Sequence, residues 1–471
     1  MANTFALMAL LAWIPLSAAL FVLLPIGRAL SIVYVFGWLM LPFVHYKFPG
    51  VPDFGKATAI LLGSGLGVIL SRDLSQRIAS LRLSILDMPA ALLCAGAFAT
   101  SVLNGLGIWD GISTSFNSLA GWAGPYLIGR LVYRSLDDLR ELAIAVFVGG
   151  VFYIPLCLVE IRLSPQLHNW IYGFSPRGWG GVRFGGYRPS VFMECGLELG
   201  IWMTVASIVG IVLWQQGRLR KIFGVPVGPI VAVLLATTVL CKSTGALGLL
   251  LAGISCWLVA RTLCSSKPIT VLIALSILYI FVRASGMYDG AAMVQLVRQY
   301  INEERANSLA TRLTNEDLLG ARAFLRPWFG WGGWGRSLVF DESGAEISIP
   351  DGYWIIMLGS RGIVGLFATF GVLLLPSFAA VRRCGANVSR SERLAPVAAL
   401  AIGVALFSID CLMNAFPNPI YLLCAGGLGS FAVQERSFLT SSLPPNGMRP
   451  HFPNNSRTLW PPTGAVRPVQ M

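Results

Sequence analysis

"LAIAVFVGGVFYIPLCLVEI", residues 142–161, runs eighteen residues without a charge before it meets Glu160. An α-helix rises 1.5 Å per residue, so about 20 apolar residues cross the ~30 Å hydrocarbon core of a bilayer. Working outward, comparable runs fall near 5–26, 29–46, 57–70, 84–103, 119–133, 190–214, 226–241, 245–260, 268–284, 352–376, 395–412 and 418–434. The composition agrees. Hydrophobic residues make up 55% of the 471, and charged residues only 12%, where a soluble domain carries about 25%; the mean hydropathy is +0.69. The reading is an all-α, polytopic integral membrane protein with about 12–14 transmembrane helices over 1–434. The first run follows Met-Ala-Asn-Thr without a positive segment and is read as a retained span.

Basic residues set the orientation. Arg72, Arg77 and Arg82, Arg134 and Arg140, Arg218, Arg220 and Lys221, Arg261 and Lys267, and Arg382, Arg383, Arg390 and Arg393 all fall on one side of this pattern. The positive-inside rule makes that side cytoplasmic, which also accounts for a net charge of +13 without nucleic acid. The tail 435–471, rich in Pro, Ser and Asn, shares this side and is expected to be disordered. Nine scattered cysteines with no Cys-x-x-Cys, and only three histidines, speak against a disulfide framework, structural zinc or iron–sulfur.

Two long loops, about 162–189 and 285–350, fall on the outer face and carry arginines against the topology rule: Arg162, Arg177, Arg183 and Arg188, then Arg298, Arg305, Arg312, Arg322, Arg326 and Arg336. Long segments translocate regardless of charge, but loops of this length usually have a task. The pattern predicts a helix from about Asn302 to Leu325, stopped by Pro327. At about 100° per residue it aligns Arg305, Arg312, Arg322 and Arg326 in one stripe. Guanidinium forks suit a diphosphate or an acidic sugar. A solvated stripe is the alternative, since the loop holds eight acidic residues against six arginines.

Ionisable residues within or at the edge of spans are costly and are therefore functional candidates: Glu160, Glu194, Glu198, Lys242, Arg283 and Asp410. Snorkelling is the alternative for those near span ends. Glu194 and Glu198 share a helix face and offer a general base, a hold on an acceptor hydroxyl, or a structural pair for a neighbouring arginine. Residues 326–337, "RPWFGWGGWGRS", place Trp328, Trp331 and Trp334 every third residue. Tryptophan favours the lipid–water interface. The stretch reads as an interfacial turn that lays the arginine-bearing helix over the site and leads the chain back toward Asp351. Arg326 and Arg336 are candidates to touch substrate.

Three segments taken together, "GGYRPSVFMECG" at 185–196, "CKSTGALGLLLAG" at 241–253, and "TRLTNEDLLGARAFLRPWFGWGGWG" at 311–335 with "IPDGYWIIMLGSRGIVGL" at 349–366, resemble the O-antigen ligase and polysaccharide polymerase superfamily over about 80–430. The resemblance implies a membrane glycosyltransferase (GT-C-like) helical bundle with a large outer-face loop, in a bacterial inner membrane, with the active site facing the periplasm or cell exterior. It implies transfer of an undecaprenyl-diphosphate-linked glycan without metal or other cofactor. Membrane lipid and a chain-length regulator or other polysaccharide-assembly proteins are the further partners expected. By position, Arg188 matches the arginine before the span that follows the first outer loop, and Lys242 with Ser243 falls where many members have Ser-Arg. Arg312 matches the arginine ahead of the Pro-Trp/Gly segment. Asp351 stands where ligases have a histidine, which tilts the reading toward an exopolysaccharide or O-antigen polymerase, with the ligase as the alternative. His168 is a possible substitute, although a lone histidine is more often structural.

The chemistry expected is one inverting displacement. Arg188, Lys242 and Arg312, supported by Arg183, Arg326 and Arg336, would neutralise the diphosphate, and Asp351 or Glu194 would act as base or orient the acceptor. A transporter or flippase of an anionic lipid-linked substrate is the rival from another class, but no repeat relates the two halves of the chain.

Overall fold

The computed structural model describes residues 2–434 except 72, 177–181, 184, 218 and 223. Arg72, Arg177, Arg218 and the tail 435–471 lie outside the described residues. The chain is helical: α1 (Thr4–Leu23), α2 (Ile26–Met40), α3 (Lys56–Ile69), α4 (Leu74–Ala79), α5 (Met88–Leu103), α6 (Ile108–Ser118), α7 (Gly124–Val132), α8 (Leu136–Leu163), α9 (Leu167–Tyr172), α10 (Gly196–Gln215), α11 (Val227–Leu240), α12 (Thr244–Thr262), α13 (Lys267–Ala284), α14 (Ala291–Tyr300), α15 (Glu303–Ala323), α16 (Tyr353–Cys384), α17 (Asn387–Arg390), α18 (Ala395–Met413) and α19 (Pro419–Val433). One turn of π-helix, Leu119–Ala123, joins α6 to α7 without a break. Among the described residues the only strands are three two-residue antiparallel hairpins.

Among the described residues eight helical stretches are long and apolar enough to cross a membrane, and α2, α3, α11 and α19 are shorter apolar helices. Each expected span coincides with one of these or with the α6–α7 run. The protein is thus an all-α, multi-pass membrane protein. Its packing follows from helices that are apolar on every side. α10 and α18 touch one another and are 94% and 89% buried, whereas α1, α12 and α13 bury only 22–28% of theirs. The first pair forms the axis, and the outer helices present Val22, Leu251 and Phe281 to the surroundings. Such exposed apolar surface is stable only against lipid.

The segment 326–337 finds its partner in α16. That helix is interrupted at Gly362, whose φ of 67° and ψ of −166° leave the helical region. The interruption leaves backbone N–H and C=O groups of α16 without partners inside the helix. The Trp/Gly segment supplies the partners: Ile363 N donates to Pro327 O (2.7 Å), Val364 N to Trp328 O (3.3 Å), Trp331 N to Gly359 O (2.9 Å) and Gly332 N to Ser360 O (2.9 Å). A Cβ on Gly362 would lie 2.3 Å from Trp328 O, so glycine is required there by both its φ and its neighbour. The 22 residues after the break, about 33 Å long, suffice to span a bilayer.

Trp328 and Trp334 are 65% and 77% exposed, whereas Trp331 turns inward. It stacks under the guanidinium groups of Arg322 (3.7 Å) and Arg326 (4.5 Å) and donates its indole N–H to Arg322 O.

Candidate functional site

The segment 285–350 holds the helix that the sequence predicts, with one helix more, α14. α15 begins at the Asn302 cap, whose side chain accepts from Arg305 N, and it ends at Ala323, two residues short of Leu325. α15 is clamped to the bundle by Glu316. Its carboxylate accepts from Tyr279 Oη (2.8 Å) and Arg283 Nε (3.1 Å) of α13 and from Trp354 Nε1 (3.0 Å) of α16. Arg283 also donates to Leu313 O and pairs with Asp317. Arg283, a membrane-edge charge in the sequence reading, therefore serves with Glu316 to dock the helix.

Docked in this way, α15 closes a cavity of about 280 Å³. Arg305 and Arg312 reach it from α15, Arg183 and Arg188 from the first loop, Lys242 and Ser243 from the α11–α12 turn, and Asp410 and Asn414 from the end of α18. The three sequence segments 185–196, 241–253 and 311–335 thus meet at one place, although 124 positions separate Arg188 from Arg312.

Three of these cations have a visible support. Arg188 Nη2 donates to Ser243 Oγ (2.9 Å), while its buried Nε has no partner among the described residues. The loop that carries it is held by Glu160, which accepts from Leu167 N (3.0 Å), Ser190 N (2.8 Å) and Val191 N (2.7 Å). That anchor secures Val191 at a φ of 53°, a left-handed conformation strained for a β-branched residue. Lys242 packs its ammonium against Gly186 of the hairpin Val182–Arg183/Gly186–Tyr187, where a Cβ would come within 2.1 Å of Nζ. Arg312 Nη1 donates to Met413 O (2.7 Å) and to Asn414 Oδ1 (3.3 Å).

Like charges crowd together here. Burial, with Arg183 and Arg305 adjacent, pulls Arg188 down from its ordinary value to about 10. Burial and the charges of Arg305 and Arg312 also lower Arg183, against an opposing pull from Glu304. Five cations line the cavity with one carboxylate, Asp410. At an effective dielectric near 20, unit charges 4 Å apart interact by about 4 kcal/mol. An anion entering this cavity relieves that repulsion and supplies acceptors for the open N–H groups.

Of the residues singled out from the sequence, Arg183, Arg188, Lys242 and Arg312 converge here. Asp351 stands behind Arg312 at 3.6 Å from its Nε, on a smaller hollow with Glu316 and Gly352. Glu194 does not line the cavity. Its backbone N–H donates to Glu198 Oε2, and Glu198 Oε1 accepts from Trp38 Nε1. Both carboxylates lie in the electrostatic reach of buried Lys56.

Arg326 and Arg336 are also elsewhere: both donate to Asn104, to Oδ1 and to the carbonyl respectively, and fasten the Trp/Gly turn to α5. Beyond Ala323 the helical period no longer applies, so Arg326 leaves the stripe. His168 is structural; Nε2 accepts from Phe43 N and Nδ1 donates to Phe174 O. Burial, with Lys56 adding repulsion, depresses it to about 4. Arg305, aligned with Arg312 by the helical stripe, also lines the cavity, and Asn414 joins it without having been singled out. The signals were present, since Arg305 precedes Arg312 by two helical turns and Asn414 follows Asp410 by one. No protein-family model matches the chain, and no curated protein matches it.

Proposed function

We propose that the protein is a glycosyltransferase that polymerises undecaprenyl-diphosphate-linked glycan at the outer face of the inner membrane, in the manner of an exopolysaccharide or O-antigen polymerase. The observation that carries this reading is the cavity in which Arg183, Arg188, Lys242, Arg305 and Arg312 face inward together. A lipid diphosphate has a membrane-bound tail and a head of concentrated negative charge. A cavity of arginines among the ends of apolar helices suits both parts.

The chemistry asks little more of the protein. Diphosphate is a good leaving group, so stabilising the charge that develops on it and orienting the acceptor account for most of the acceleration. Arg188 and Arg312 are pre-positioned by Ser243, Met413 and Asn414, so little reorganisation accompanies bond cleavage. Gly186 leaves the Lys242 ammonium room at the hairpin. One direct displacement inverts the anomeric configuration.

The test is polymer length on a gel from cells carrying Arg188→Ala or Arg312→Ala at normal protein level. The expected result is loss of long polymer with accumulation of single repeat units. Full-length polymer from both variants would remove the diphosphate assignment. Glycan appearing on lipid A core instead of on the carrier lipid would make the protein a ligase.

A further inference from the structure

Resting on that reading, we infer that Asp410 is the catalytic base that takes the proton of the acceptor hydroxyl, and that Asn414 is the residue that positions it. Three carboxylates compete for this role. Asp351 is committed to Arg312 from behind, and Glu194 does not line the cavity. Asp410 lines the same cavity as Arg188, Lys242 and Arg312 and is 7% exposed.

The hydrogen bonds around Asp410 leave one oxygen for chemistry. Asn414 Nδ2 donates to Oδ1 at 2.8 Å. The amide cannot be turned round, because Asn414 Oδ1 accepts from Arg312 Nη1 at 3.3 Å. No hydrogen bond among the described residues reaches Oδ2, and no ion pair engages Asp410. A buried carboxylate with a single amide partner is a poor choice for stability. A carboxylate within a span and beside a substrate cavity is the arrangement expected of a functional group.

The step balances as follows. The acceptor hydroxyl oxygen forms a bond to the anomeric carbon of the donor while its proton passes to Asp410 Oδ2. The bond from the anomeric carbon to the phosphate oxygen breaks, and its electron pair leaves with the diphosphate. The aspartic acid then releases its proton to water and is restored. Asn414 joins the two halves of the reaction, since the same side chain touches the base and an arginine of the diphosphate site.

The experiment uses the full chain purified in detergent, lipid-linked glycan extracted from cells that lack the protein, and undecaprenyl diphosphate as the binding probe. Asp410→Asn is expected to slow elongation at least about 100-fold, within the range of general-base removal, while undecaprenyl diphosphate affinity stays within about threefold. Asp410→Ala is expected to be equally slow and to recover with formate. Asn414→Ala is expected to lower kcat with KM little changed, and Asn414→Gln to recover part of that loss. Elongation by Asp410→Asn at the wild-type rate, or an Asp410→Ala enzyme that formate leaves unchanged, overturns the inference. Failure of the wild-type protein to bind the probe or elongate the glycan overturns instead the reading on which it rests.

Discussion

Replacing Glu316 by Ala should undock α15 without unfolding the bundle. Glu316 and its partner Arg283 have side chains only 5% and 2% exposed. Removing one member of such a buried pair costs about 3–5 kcal/mol, and Arg283 keeps only the largely exposed Asp317 as a charge partner. Tyr279 and Trp354 lose an acceptor as well, each an effect of about 1–3 kcal/mol that does not add fully. A working figure of about 4 kcal/mol corresponds to about a thousandfold larger undocked population. Hydrogen exchange read by mass spectrometry is the assay. Amides of 303–323 should exchange about three orders of magnitude faster, while those of α10 and α18, which make none of these contacts, should not change. Because Arg305 and Arg312 ride on α15, elongation should fall with docking. Exchange in α15 within about threefold of wild type would refute the clamp.

Other perturbations follow from the same geometry. Glu160→Ala leaves three N–H groups without their acceptor and should release the loop of Arg188, at a local cost of about 3 kcal/mol; undecaprenyl diphosphate affinity should drop at least tenfold, and an unchanged affinity would show that the loop is held by other contacts. Gly362→Ala sets a Cβ against Trp328 O at a φ of 67° and should cost at least about 2 kcal/mol, seen as a lower Tm in detergent. His168 titrates at about 4 in the fold and near 6.5 when unfolded. The unfolded chain therefore binds more protons between these values, and stability is complete above pH 6.5 and falls as the pH drops toward 4, by up to about 3 kcal/mol. His168→Gln should flatten unfolding curves across that window, and a slope identical to wild type would show that another group titrates.

What was legible in the sequence follows from how local its causes are. A helix must be long and apolar to cross lipid, so the runs alone located the spans, and Pro327 with the arginine spacing placed α15; short helices such as α9 and α14 carry no such signal. Helical geometry aligned Arg305 and Arg312, which meet at the cavity, whereas Arg322 stacks on Trp331 instead and Arg326 lies beyond the helix end. Trp331 between Arg322 and Arg326 offered a cation–π signal for the latter. Glu160 stood out as a charge at the end of a span, yet its partners are backbone N–H groups as far off as residue 191, which carry no side-chain signature. The pairing of 327–332 with 359–364 is silent for the same reason. Gly362 stands in a run that also holds Gly359, Gly365 and Gly371, so the sequence alone does not set it apart.

The most direct measurement of the central claim is elongation of a lipid-diphosphate-linked glycan by the purified protein alone, followed on a gel or by mass spectrometry. The account predicts glycans longer by whole repeats with wild-type protein, and none with Arg188→Ala or Arg312→Ala at equal protein and fold. Glycan that only changes sides of a vesicle membrane, with its length unaltered, would contradict the account and make the protein a transporter.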